Sequence, residues 1–252
     1  MKRKVVVCLA LILATGAFVH SEEAAEEGGR DPKALEILEK ADAAIKKVTG
    51  VRYTAKSTPG GVALNFVSAA EGEAVVVGWN NEWRIPQKYF VHLTTKQQGS
   101  DEPLELTGGG DGEMFFLINH NTKKAYEDMD PAVLGSSANA LGMFGMQEFV
   151  HDRPFDDELN ATTLKYEGTE TVGGEECHRV FVDYGQGGQN STWFFGTEDF
   201  LPRRRVQHFN FNDTPGTLAI EIANLEIDPE TDAATFRLKL PEGYEQIDDF
   251  AP

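Results

Sequence analysis

Cysteine is almost missing from this chain: Cys8 and Cys177 are the only two among 252 residues. Cys8 lies in an amino-terminal leader, so no disulfide can form within the remainder, and stability has to come from a packed core. Positive charge is scarce as well, with 23 Lys and Arg against 41 Asp and Glu and a formal net charge of −18. A surface of that sign repels phosphate and anionic headgroups, which excludes nucleic-acid binding. The one basic run, Arg203-Arg204-Arg205, is too small to reverse the field and reads as a basic patch after a Leu-Pro turn. Catalytic and metal signatures are also lacking. No two of the histidines at 92, 120, 151, 178 and 208 lie at i, i+3 or i+4, and there is no His-Glu-x-x-His, no paired-Cys spacing and no Gly-x-Ser-x-Gly elbow. The expectation is a protein without catalytic residues, metal or cofactor.

What is present begins with a leader. Met1-Lys2-Arg3-Lys4 is basic, Val5 to Val19 is apolar apart from Thr15 and Gly16, and Val19-His20-Ser21 suits a signal peptidase. The apolar run is shorter than the ~20 residues of a membrane anchor. Residues 1–21 therefore read as a secretory signal, and an exported or periplasmic protein with no stable membrane span is expected. Losing Lys2, Arg3 and Lys4 takes the net charge from −18 to −21. Residues 22–30, EEAAEEGGR, read as a disordered acidic leader. Residues 31–252 are long enough for one domain with its own core.

Asp31-Pro32 gives a capping carboxylate followed by proline at the first helical position. Leu35, Leu38, Ala41, Ile45 and Val48 form an apolar stripe, with Glu36, Glu39, Lys40, Lys46 and Lys47 opposite and Gly50 closing the helix. The period then falls to two. Val62, Leu64 and Phe66 alternate, as do Val75, Val77 and Trp79, and Pro86 within the next apolar stretch suggests an edge or a bulge. Gly108 to Gly112 superficially resembles a phosphate loop but lacks the following Lys-Ser/Thr and leads into a strand, so it reads as a hairpin turn. Phe115 to Ile118 then turns at Asn119 to Thr122 into another strand.

Asp130-Pro131 repeats the helix-start signal. The segment to Val150 is apolar around most of its circumference, with Leu141, Met143, Phe144, Met146 and Phe149, and is interrupted by Gly135, Gly142 and Gly145. Two readings fit: a core helix whose glycines allow close approach to a sheet, or a mobile lid of flexible methionines over an apolar cavity. From Leu164 the chain is strand after strand. Val180, Val182 and Tyr184 share one face, Cys177 and Phe181 the other, so Cys177 reads as a buried, inert thiol. Leu218, Ile220 and Ile222 change parity against Leu225 and Ile227, which predicts a bulge at Asn224. Phe236, Leu238 and Leu240 read as a final strand. The acidic pairs Asp156-Asp157 and Asp248-Asp249 read as solvated surface. His178 and His208 are candidates to meet across adjacent strands. The fold class that follows is α+β: a single curved antiparallel sheet with helices covering its concave face.

The wording of Thr169 to Val180 (TETVGGEECHRV), of Trp193 to Arg204 (WFFGTEDFLPRR), of Asp111-Gly112 before Met114 to Ile118, and of Pro241-Glu242-Gly243-Tyr244 resembles exported bacterial proteins of the outer-membrane lipoprotein-sorting fold. That resemblance implies an unclosed β-barrel of about eleven strands with helices plugging the concave side, where carriers of the group hold acyl chains. No residue here aligns with the carriers' helix-holding arginine, and Arg52 is the position to test. The implied role is a non-catalytic periplasmic binding or carrier protein for a lipid, acyl chain or lipoprotein, with Phe66, Trp79, Leu141, Met143, Phe144, Met146 and Phe149 as ligand contacts. The alternative is an envelope protein-interaction or sensory module that docks a basic partner on its acidic surface. A hydrolase using Cys177 or His178 comes third.

Overall fold

The computed structural model describes residues 29–82, 85–96, 102–129, 146–185 and 189–248. The secretory signal, most of the acidic leader, Trp83 and the stretch with Leu141, Met143 and Phe144 lie outside the described residues. Twelve strands form one open sheet: β1 (Gly50–Gly61), β2 (Ala70–Asn80), β3 (Ile85–Lys96), β4 (Pro103–Gly110), β5 (Phe115–Asn119), β6 (Lys124–Asp128), β7 (Thr163–Val172), β8 (Glu175–Asp183), β9 (Asn190–Gly196), β10 (Pro202–Phe211), β11 (Thr214–Ile227) and β12 (Glu245–Gln246). Their order is β12-β6-β5-β4-β3-β2-β1-β11-β10-β9-β8-β7. Two antiparallel meanders, β1 to β6 and β7 to β11, are thus joined where β1 pairs with β11. The sheet is not wholly antiparallel as expected, because β12 runs parallel to β6.

Helix α1 (Pro32–Ile45) starts as the sequence dictates, with the Asp31 side chain accepting the Lys33 amide at 2.7 Å and Pro32 in the first turn. Ala34, Ile37, Leu38, Ala41 and Ile45 are buried, while Glu36, Glu39 and Lys40 stay exposed. The helix packs on β7, β8 and the one-turn helix α2 (Asp156–Leu159). Gly50 does not close α1. It is buried at the start of β1, where a Cβ would stand 2.9 Å from the Val76 carbonyl oxygen, so a close strand crossing selects glycine there.

Several strand expectations shift. Val62, Leu64 and Phe66 alternate without forming a strand: residues Val62–Asn65 make a 3₁₀ turn, and Leu64 and Phe66 are 65% and 52% exposed. Gly108, Gly109 and Gly110 belong to β4, and only Asp111-Gly112 begins the turn, with the Asp111 carboxylate accepting the amides of Glu113 and Met114 at 3.0 Å. A Cβ on Gly109 would meet the Phe116 ring at 2.7 Å and one on Gly110 the Phe115 ring at 2.4 Å, so these glycines make room for aromatic rings on opposite faces. The expected final strand at Phe236–Leu240 is instead a 3₁₀ turn (Ala233–Phe236) and an irregular tail. Its apolar residues serve a different purpose: Leu238 and Tyr244 cover Phe116, Ile118 and Ala125 on the outer face. Pro86 stands opposite Trp79 of β2, ahead of the stretch from Tyr89 onward that pairs with β4, so among the described residues β3 has only one strand neighbour at the proline. At Asn224 the expected slip is present. Register jumps between Arg52↔Glu226 and Thr54↔Ala223, and Asn224 takes φ 54° with its amide nitrogen donating to Thr54 Oγ1 at 3.0 Å.

The inner face carries the main core. Trp193, Phe195 and Phe155 meet there with Val180, Val182, Tyr53, Tyr89 and Phe115. The sheet ends in β7 on one side and in the two-residue β12 on the other, and a covered or very short edge limits edge-to-edge association. At β7, Arg30 bridges Leu164 and the Asp31 carboxylate accepts the Tyr166 amide at 3.0 Å. At β6, the Glu245 and Ile247 amides donate to the carbonyls of Lys123 and Ala125.

Candidate functional site

A cleft of about 790 Å³ opens where residues 148–161 pass over β9 and β10. Its lining is mainly polar: Glu148, His151, Asp156, Glu158, Tyr184, Arg205 and His208 contribute. Glu158 is the chemically distinctive member. It is only 7% exposed, and the Tyr184 hydroxyl donates to its Oε1 at 2.8 Å. Burial, reinforced by the nearby Glu148 charge and opposed by the Tyr184 bond, pushes its carboxyl up to about 7. Glu148 accepts a hydrogen bond from Arg205 Nη1 at 2.6 Å, and that guanidinium also lies over the Trp193 ring, 5.1 Å from its centroid. Short-range sequence signals do not mark this group. Glu158 follows Asp156-Asp157 and looks like one more surface acid until the short helix turns it under Tyr184.

The raised Glu158 carboxyl gives a signed prediction. Between its ordinary value of 4.5 and about 7 the folded chain holds a proton that the unfolded chain has released, so stability falls as pH rises through that window. Glu158→Gln keeps an acceptor for Tyr184. It is expected to match wild type near pH 4 and to exceed it at pH 8 by up to about 3 kcal/mol, read from urea denaturation at the two pH values. An identical pH slope in the two proteins would rule Glu158 out as the titrating group.

The expected ligand contacts are scattered. Met146 and Phe149 are buried in the inner core, where the Met146 amide donates to the buried Tyr53 hydroxyl at 3.1 Å and the Phe149 ring lies 5.9 Å from the Tyr53 ring. Trp79 is partly buried against the same core, 4.3 Å from the His151 ring. Phe66 lies elsewhere, beyond the far end of β1, with its ring 4.9 Å from Phe211. Arg52 pairs with Glu226 at 2.7 Å.

The apparently reactive residues of β8 and β10 are engaged in packing and ion pairs. Cys177 is fully buried and its thiol is pushed up to about 11 by that burial. His178 and His208 do not meet, because β9 lies between their strands. The first stacks on Phe200 at 5.7 Å and the second lies 3.4 Å from Thr192 Oγ1. The three arginines make no basic patch. Arg203 bonds Glu175 at 2.9 Å and Asp199 at 2.7 Å, Arg204 lies over Phe194 near Glu170, and Arg205 turns inward to Glu148.

A second polar group stands on the outer face. His92, Glu105 and His120 bring one potential ligand atom each within 4.8 Å of the others. Burial holds the His120 imidazole below the usual histidine range. None of the pairwise spacings resembles a local metal motif; strand register alone assembles the group.

No family model matches the chain, and no curated protein matches it. Among solved structures it is similar to LprF from Mycobacterium bovis, with 12% identity, a TM-score of 0.48, and coverage of 86% of this chain and all of the other. It is also similar to the Mycobacterium tuberculosis lipoprotein LppX, with 15% identity, a TM-score of 0.39, and coverage of 80% and 98%. For the Pseudomonas aeruginosa MucA/MucB complex the identity is 11% and the TM-score 0.43, with 82% of this chain spanning 61% of the other.

Proposed function

We propose that this is an exported, periplasmic binding or carrier protein for a hydrophobic ligand, a lipid, acyl chain or lipoprotein, and that it is not an enzyme. The observation that carries the reading is the apolar inner face beyond the reach of α1. Tyr89, Val91, Leu93, Phe115 and Tyr126, on β3, β5 and β6, are all buried, whereas α1 packs on β7 and β8. Small residues, Ala74 and Gly108, flank Val91 in the same cross-strand row. The chain leaves β6 at Asp128, paired with Phe115, and re-enters at Met146, bonded to Tyr53 of β1. In this reading, Leu141, Met143 and Phe144, which fall between those two points of the chain, contact the ligand together with Trp79, Met146 and Phe149. The basic-apolar leader supports export. Among the described residues no helix is long and apolar enough to cross a membrane.

Native mass spectrometry of the purified protein is expected to show a co-purifying apolar molecule that organic solvent removes. Met143→Asp and Phe144→Asp are each expected to weaken binding of a fluorescent fatty acid by about tenfold or more, as a buried charge costing ~1.4 kcal/mol or more requires. Ligand-free protein that ignores the fatty acid, with both variants indistinguishable from wild type, would sink the proposal. The polar cleft around Glu148, Glu158 and Arg205 favours a second reading, an envelope protein partner docked by charge. Its mark would be one dominant crosslinked protein whose capture weakens with salt.

A further inference from the structure

The geometry points to a binding site for a divalent transition-metal ion of zinc(II) type, formed by His92, Glu105 and His120 on the outer face of the sheet. The three residues come from β3, from β4 and from the turn that follows β5. Register builds the group. His92 stands directly opposite Thr107, and the His120 amide donates to the Glu105 carbonyl oxygen at 3.0 Å, so three adjacent chain segments are fixed to one another by backbone bonds. A tetrahedral zinc site with bonds of about 2.0–2.2 Å sets its ligand atoms roughly 3.3–3.6 Å apart. His92 Nε2 and Glu105 Oε1 are already 3.4 Å apart, and all three ligand atoms lie within 4.8 Å. Closure therefore asks for a side-chain rotation of about an ångström, with no backbone movement.

The surroundings orient both rings in the way metal-binding histidines require. His92 Nδ1 is 2.9 Å from Thr107 Oγ1, and His120 Nδ1 is 2.9 Å from the Tyr244 hydroxyl. With Nδ1–H as the donor in each contact, both Nε2 lone pairs are left for an ion. In that tautomer the Thr107 hydroxyl donates to His120 Nε2 at 2.8 Å, and a bound ion replaces it as the partner of that lone pair. Tyr244 reaches His120 from 124 residues away in the sequence, so the carboxyl-terminal tail acts as the outer support of the site. Two imidazoles and one carboxylate suit zinc and its neighbours, whereas magnesium and calcium take oxygen ligands. The His92 and Glu105 side chains are 37% and 49% exposed, which leaves a further coordination position open to water or to a ligand atom from a partner.

The test is calorimetric titration of the EDTA-stripped protein with zinc(II), with calcium(II) and magnesium(II) as comparisons. One zinc per chain is expected, bound far more tightly than either comparison ion. His92→Ala replaces a part-exposed side chain and is expected to abolish that binding while leaving the thermal midpoint of the stripped protein unchanged. Tyr244→Phe is expected to weaken zinc about 10–100-fold at unchanged stoichiometry, as loss of an outer hydrogen bond does. His151→Ala is expected to leave zinc affinity at the wild-type value, which separates the site from general attraction to an acidic surface. Zinc held no more tightly than calcium, or equal affinity in His92→Ala and wild type, would overturn the assignment, and the Thr107-centred hydrogen bonds would then be the whole role of the two histidines.

Discussion

Phe155→Ala is expected to lower stability by about 3–5 kcal/mol, the range for emptying a fully buried aromatic site. Phe155 is 0% exposed, and its ring stands edge-on to Trp193 at 5.3 Å and to Phe195 at 5.4 Å. It also precedes the first turn of α2, the helix that carries Glu158. Two effects therefore add: a cavity opens between β9 and the 148–161 segment, and the anchor of the cleft wall is lost. Phe155→Leu refills much of the volume and is expected to cost far less, about 1.5 kcal/mol. Urea denaturation of both variants gives the comparison, and a cost for Phe155→Ala below that of Phe155→Leu would show that the site collapses freely around the gap.

The second large effect is expected at Arg205. Its ion pair with Glu148 is largely withdrawn from water, the two side chains being 15% and 17% exposed. Arg205→Ala leaves the Glu148 carboxylate confined without its cation and beside Glu158. The expected loss is about 3 kcal/mol, as for other one-sided breaks of a buried pair. Among the described residues, Glu148 Oε2 and Arg205 Nε have no hydrogen-bond partner even in the intact pair, so its hydrogen bonding there is incomplete. For that reason Glu148→Leu with Arg205→Leu is expected to recover most of the loss, since removing both charges also removes their desolvation cost. A double-mutant cycle measures the coupling directly. If the double variant is as unstable as Arg205→Ala alone, the stacking of Arg205 on Trp193, and not its charge, is what matters at this position.

These residues also mark how far the sequence could be read. Local chemistry carried through wherever one residue decides a local event: Asp31 and Pro32 start α1, and Asn224 marks the bulge because apolar parity changes on either side of it. It misled where alternation arose without a sheet partner. Val62, Leu64 and Phe66 have the period of a strand but sit past the end of β1 in a 3₁₀ turn, while β1 itself was obscured by Lys56, Ser57, Thr58 and Pro59. The pattern there is present in smaller residues: Tyr53, Ala55, Ser57 and Pro59 are buried alternately, with Thr54, Lys56 and Thr58 exposed.

The candidate sites were less legible than the fold, for a physical reason. A site built by strand register depends on which residues stand opposite one another, and no local spacing encodes that. His92 and His120 look unrelated until β4 places Thr107 between them. Glu148, Glu158 and Arg205 come from a 3₁₀ turn, a one-turn helix and a strand. By contrast, the burial of Cys177 followed from strand parity alone, and the sheet holds it at 0% exposure.

The seam between β1 and β11 has a consequence for how the molecule comes together. Within each meander, consecutive strands are neighbours, so hairpins can form early at little loop-closure cost. The seam instead joins residues such as Arg52 and Glu226, separated by 174 positions, and its closure carries the larger loop-entropy cost. The Asn224 bulge lies on that seam, where a one-residue error would turn every apolar side chain of β11 to the wrong face. A positive-φ asparagine hydrogen-bonded to Thr54 thus works as an alignment key at the longest-range strand pairing of the sheet, fixing one register for the join between the two meanders.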